Sequence, residues 1–497
     1  MMLSPDNKKF IRYTCLAGGS ALISLFLPSN YLLVCTGLLS LTGGLYGFAT
    51  LLKSPESRFN FFVVGAVVIV LGSSLGMLLS FASISLVSSD IWEITIEYAH
   101  ATTADIALAQ TYANAFAIAF LLIGSRSQLQ KTITLINQDF RYCLQEHKKI
   151  IYAFVVTILI CQIYLLNTGV IVYGGKSLAD EGQPTHPLLA IILPVVPVLP
   201  IVLAYYLREN FFAGQKLVVI LCLIFLLNEL AWFFLFGRRS VIYFFLLSFA
   251  GIFFDKSLGK RFLFRNMIPI LICCYTAVKI ADLYHKMRVV YSFEQAQRMS
   301  MVDVILGLES ADSEKYNQIR NMNVAARAAY SSLALAQFVN LFRTTNGAPL
   351  MGQELINSIL FATPSNFLVD KKMILAKEAL YSKAYSLDIT DISETLYLES
   401  FIDFSWSGFF IYPLFIFLLL SLVYALLISV RNSLFSLLVA CVSLSLSLMM
   451  IEVDMIIFLS TIRALFSCFL LVIIIKKTVY NRYSKDVSPT ISDEKTA

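Results

Sequence analysis

The sequence predicts an all-α, polytopic integral membrane protein of about twelve spans with one large, mostly helical extracytoplasmic loop. Three observations predict it. Of 497 residues, 58% are hydrophobic and 14% charged, against ~45–50% and ~25% in soluble domains. Whole windows, Phe61–Leu86 and Ile151–Tyr173 among them, carry no charged side chain, and ~18 apolar residues suffice to cross a bilayer core as a helix. One stretch, His285–Trp406, is far more polar than the rest. Long apolar runs, in place of ~10-residue alternation, argue against a β-barrel.

The elements follow in order. The basic-then-apolar N-terminus lacks a small-residue cleavage site, so Phe10–Leu27 reads as a retained first span. Hydropathy places the others at Tyr31–Leu52, Phe59–Leu86, Ile106–Ile123, Ile150–Tyr173, Leu188–Tyr206, Leu217–Phe236, Val241–Phe254, Phe264–Tyr284, Phe409–Val430, Leu434–Ile451 and Ile456–Ile475. Membrane helices thus fill 1–284 and 407–477, the loop domain 285–406, and a polar, disordered cytoplasmic tail 478–497. A loop of about 120 residues is too long to lack structure. Within it Ser292–Gln295 and Asp391–Glu394 have capping-box spacing, and Asn323–Phe342 has the period of an amphipathic helix. The prediction is several short helices resting on the outer membrane face.

Short-loop cations set the orientation. With the N-terminus cytoplasmic, the cytoplasmic segments hold Lys8, Lys9, Arg12, Lys53, Arg58, Arg126, Lys131, Arg141, Lys148, Lys149, Arg208, Lys216, Lys256, Lys260, Arg261, Arg265, Arg431, Lys476, Lys477 and Arg482. Opposite them, Val87–Asp105 and Glu452–Met455 hold none and Gly174–Pro187 only Lys176. Both termini come out cytoplasmic by the positive-inside rule. Arg238 and Arg239, in the turn GRRS, break that rule on the outer side. Snorkelling onto lipid headgroups is their bland role, and anion binding the sharper one.

Composition narrows the chemistry. Basic residues are not clustered with aromatics on a soluble element, which argues against nucleic-acid binding. The nine cysteines lie mostly in spans without CxxC spacing, and the four histidines are scattered, so neither a disulfide framework nor a metal site is expected. No P-loop, HExxH or DxD occurs. No cofactor is expected.

Charges in costly places remain as candidates. Glu229 and Arg463 each lie ~10 Å inside a span at 1.5 Å per residue and are expected to form an intramembrane pair. Lys279 with Asp282, and Glu452 with Asp454, are further sets. The loop adds Arg288, Arg298, Arg320, Arg327, Arg343, Lys371 and Lys372; Arg320 and Arg327 share a face of a continuous helix. Guanidinium forks match phosphate oxygens in pairs. Carboxylates gather before the tenth span at Asp388, Asp391, Glu394, Glu399 and Asp403. Glu399 and Asp403 share a helical face near the headgroups, where partial desolvation suits a general base.

The layout of many spans, one large late outer loop and arginine-bearing outer turns resembles that of bacterial oligosaccharide repeat-unit (O-antigen) polymerases. Met351–Pro413 adds Gly352, Pro364, Lys371–Lys372 and then ETLYLESFIDFSWSGFFIYP, and the GRRS turn is similar to an arginine-bearing turn ahead of the loop in that family. The resemblance spans about residues 150–475 and rests on architecture more than on motifs. It implies a polymerase that transfers a growing glycan from undecaprenyl pyrophosphate to the sugar of a new lipid-linked unit at the bacterial inner membrane. Under it Arg238, Arg239, Arg320 and Arg327, with Lys371 or Lys372, would hold the diphosphate. Glu399 or Asp403, or less readily His285, would take the acceptor proton, and Trp406, Tyr397 and Tyr381 would stack on sugars, with anchoring at the membrane interface the commoner role for each alone. Its partners would be the lipid-linked oligosaccharide, the bilayer and a chain-length regulator. A flippase or transporter of lipid-linked sugars, an O-antigen ligase and a receptor or scaffold are the alternatives.

Overall fold

The computed structural model describes residues 4–27, 30–54, 56–86, 101–146, 148–168, 195–253, 267–290, 332–344, 347–363, 374–375, 377–385, 395–430 and 433–486. Among them every regular element is a helix. In chain order they are α1 Pro5–Ser24, α2 Asn30–Lys53, α3 Phe61–Leu86, α4 Thr103–Gly124, α5 Ser127–Glu146, α6 Lys148–Asn167, α7 Val198–Phe212, α8 Lys216–Phe236, α9 Arg238–Ile252 and α10 Met267–Val290. The loop region adds α11 over 332–344, α12 Gln353–Ala362, α13 Lys377–Tyr385 and α14 Leu396–Phe404. The chain then runs through α15 Gly408–Val430, α16 Ser433–Leu448 and α17 Met455–Asp486.

Five stretches of described helix are long and apolar enough to cross a bilayer: Tyr31–Lys53, Phe61–Leu78, Thr103–Gly124, Lys216–Phe236 and Leu396–Ser429. A sixth arises if the bent pair α5–α6, angled at 89°, is one span. Ser240–Ile252, Phe435–Leu448 and Met455–Leu470 are shorter apolar stretches within the described residues, and α17 itself continues to Asp486. The protein is therefore a helical membrane protein, with fewer full-length spans among the described residues than the twelve expected. Several expected spans, Leu188–Tyr206 and Phe264–Tyr284 among them, run partly outside the described residues.

α5 is the clearest departure. The sequence reading treats 126–149 as a basic cytoplasmic segment. The structure folds it into a two-faced helix with Leu129, Ile133, Ile136, Phe140, Cys143 and Leu144 buried. Those positions recur at the helical period. The buried face packs on α16, and Ser436 donates to Asp139 across that contact at 3.3 Å.

Contacts sort the helix ends into two groups. At one end Asn60 donates to the Gly124 carbonyl at 2.8 Å, Tyr206 to Leu144 at 2.8 Å and Arg208 to Ile252 at 2.7 Å, while Arg58 donates to the carbonyl of Phe253. This is the basic end. At the other, α4 opens with a capping box between Thr102 and Asp105, and Arg343 of α11 pairs with Asp105 at 3.1 Å. The loop helices gather here. The Leu350 N–H bonds the Ile402 carbonyl, and the Leu396 N–H bonds Val453. α14 docks on α4 through Tyr112 and Ser400, whose hydroxyls lie 2.8 Å apart.

Two glycines are required. Gly237, at φ +122°, is the single residue between α8 and α9, and such a φ strains any residue with a Cβ. Gly408 opens α15 so close to α14 that a Cβ would stand 1.9 Å from the Ser400 oxygen.

Candidate functional site

The most concentrated group of buried charge lies at the loop end. Lys377, the first residue of α13, donates to Glu399 of α14 and to Asp454 at 2.6 Å, with Glu354 of α12 at 3.8 Å. Lys377 is the most accessible of the four and is only 4% exposed. Four segments separated by up to a hundred residues thus meet at one ammonium group.

The carboxylates also cap helices. Glu399 accepts the Met455 N–H at 2.9 Å and Asp454 accepts the Ile457 N–H at 2.6 Å, so both serve the N-terminus of α17. Asp403 accepts from the Glu354 and Leu355 N–H groups at 2.9 and 2.8 Å, and Tyr412 donates to it at 2.8 Å. It therefore caps α12 from a different helix. Anionic side chains at helix N-termini satisfy unpaired N–H groups and sit at the positive end of the dipole. One Glu354 oxygen has no hydrogen-bond partner, and a single lysine serves three carboxylates.

This arrangement is built to hold segments together. A general base must come within ~2.6–3.2 Å of the hydroxyl it serves. Glu399 and Asp403 are 1% and 0% exposed, and their oxygens already carry lysine, tyrosine and main-chain partners. Each carboxylate thus ties neighbouring segments together in this structure. Helical spacing correctly put the two on one element. It could not show that the element's polar face turns inward.

The expected pair of Glu229 and Arg463 is not brought together. Glu229 accepts from Gln162 at 3.1 Å across α6 and α8, and Arg463 donates to the Ala362 carbonyl that ends α12. Equal depth in two spans says nothing about which faces meet. Tyr381 and Tyr397, offered as sugar platforms, are buried in the core, whereas Trp406 stays partly exposed against Phe401 and Tyr112. Lys279 lies 5.5 Å from the centre of the Tyr275 ring.

Arg238 and Arg239 are the first two residues of α9. They stand at the opposite end of that helix from Ile252, which Arg208 ties to the basic end. The turn that carries them lies beside Tyr284 on α10, the helix that leads towards the loop. Arg288 falls in α10. Arg298, Arg320, Arg327, Lys371, Lys372, Asp388, Asp391 and Glu394 lie outside the described residues, as do both loop capping boxes. Among the described residues no group of three or more His, Cys, Asp or Glu side chains is placed to hold a metal ion.

Sequence reasoning missed Lys377 and Glu354. Neither sits in a motif, and each looks like an ordinary charge on a short helix. Asp454 stood out only as part of a tight turn between apolar runs. No protein-family model, curated protein or solved structure matches this chain.

Proposed function

We propose that this chain is a membrane glycosyltransferase that polymerises lipid-linked oligosaccharide repeat units. In this reading the growing glycan leaves undecaprenyl pyrophosphate for a hydroxyl on the sugar of a new lipid-linked unit. A glycosidic C–O bond forms, the glycosyl–diphosphate bond breaks, the hydroxyl proton passes to water and the carrier diphosphate departs with the bonding electrons. Cleavage of that bond drives the reaction, so no nucleotide sugar is needed, in keeping with the missing DxD. The loop end faces the extracytoplasmic side of a bacterial inner membrane, both termini face the cytoplasm, and a chain-length regulator is the expected protein partner.

The observation that carries the reading is the position of Arg238 and Arg239 at the start of α9. Two cations at the positive end of a helix dipole oppose it by ~0.3–1 kcal/mol each. An anionic ligand turns that repulsion into attraction, because the dipole and both guanidinium groups then act on it together. A diphosphate gathering charge as it leaves is such an anion, and fixed cations in a poorly hydrated site stabilise it in the transition state. Arg320, Arg327, Lys371 and Lys372 belong to the same proposal. Glu399 and Asp403 enter it as positioning residues that fix the loop over the site.

Deleting the gene and running surface polysaccharide on a gel tests this directly. Loss of a polymerase leaves single repeat units in place of a ladder, whereas loss of a flippase or ligase removes even the single unit. Arg239→Ala is expected to give the single-unit pattern with normal protein in the membrane. A normal ladder would remove the arginine doublet from the site.

A further inference from the structure

α12 is an inside-out helix. Its buried stripe is Glu354, Ser358 and Ala362, and its exposed residues are Gln353 at the start and then Ile356, Ile359, Leu360 and Phe361. A short helix on a water-facing loop should show the reverse, with apolar residues inward and polar residues outward. Exposure of the apolar stripe is substantial: Ile356 is 58% and Leu360 37% exposed.

The neighbour of α12 says what covers that stripe. α12 packs along α17, and two fixed points give their relative direction. Near its start, Glu354 lies at Lys377 beside Asp454, which caps α17. At its end, the Ala362 carbonyl receives Arg463. From Glu354 to Ala362, and from Met455 to Arg463, each helix advances eight residues, ~12 Å at 1.5 Å per residue. The two therefore run side by side and in the same direction. Counting back from Lys476, the residues Ile456–Ile475 make one bilayer-core length of about 20 residues, so Met455 marks its outer limit. A helix that descends ~12 Å beside the first turns of such a span lies at the depth of the acyl chains.

From this geometry we infer that α12 is a re-entrant half-helix, dipping into the outer leaflet with its Ile356, Ile359 and Leu360 face against lipid chains. Its polar start is closed by Asp403, and the main-chain carbonyl at its deep end is met by Arg463. A helix that ends inside the hydrocarbon needs such a donor, because water is not there to supply one. The short loop helices expected to rest on the membrane surface thus include one that enters it. The inference rests on the chain being a membrane protein and not on the proposed polymerase activity.

Met351 and Leu360 provide an internal comparison, since both side chains are exposed, at 75% and 37%. The experiment uses the full-length protein in proteoliposomes or nanodiscs with its nine native cysteines replaced. Met351→Cys is expected to react with a membrane-impermeant maleimide about tenfold or more faster than Leu360→Cys, which sits in hydrocarbon. Full reaction of Leu360→Cys after denaturation controls for its presence. A second measurement needs no variant: carbene photolabelling of the wild-type protein. A bilayer-dissolved diazirine should mark the peptide holding Gln353–Ala362, and a water-soluble one should spare it. Equal maleimide rates, or labelling of that peptide from water alone, overturn the inference.

Discussion

Replacing Lys377 by methionine keeps the length of the side chain and removes its charge. Three carboxylates then lose their common partner in a sealed site. Breaking one side of a buried ion pair costs ~3–5 kcal/mol, so K377M should show a clearly lowered unfolding temperature in detergent. Adding Glu399→Gln and Asp454→Asn to it should recover part of the loss, because the stranded charges go with them. Arg463→Leu tests a different bond. The Ala362 carbonyl loses its donor, at ~1–3 kcal/mol, and the effect should fall on α12 first. Protease sensitivity localised to residues 347–363 would report it. None of these pairings was legible in the sequence. Glu354, Lys377, Glu399 and Asp454 share no spacing, and only folding of the loop brings them to one point.

Among elements, the apolar spans were the easiest to read. Predicted Leu217–Phe236 and observed Lys216–Phe236 differ by one residue, as do predicted Phe409–Val430 and observed Gly408–Val430. Unbroken apolarity over that length has few other meanings. α5 is harder to read, because its cations mark a loop while its apolar residues at 129, 133, 136, 140 and 144 carry a plain helical period. Phe140→Ala should cost ~3–5 kcal/mol by removing a fully buried ring from that face. A matching drop in melting temperature by fluorescence-detected size exclusion would check it. α12 could not be assigned from sequence for the opposite reason. Ten apolar-rich residues look alike whether they bury themselves in protein or in lipid.

At the scale of the whole molecule, charge asymmetry in the short loops predicts an orientation, and the structure gathers Arg58 and Arg208 at neighbouring ends of α2, α7 and α9. The asymmetry works because it is a property of many residues at once, so no single misplaced boundary spoils it. In intact cells, Met351→Cys should react with an impermeant reagent from outside and Lys131→Cys only after the cells are opened. Reversed labelling would turn the proposed site towards the cytosol. The order in which the chain is made adds a constraint of its own. Glu354, Lys377 and Glu399 leave the ribosome well before Asp454, and Asp454 comes just ahead of α17. Until that final helix is threaded, the three earlier residues have no fourth member to close on. Biogenesis must therefore hold this region half-latched while α15 and α16 are made.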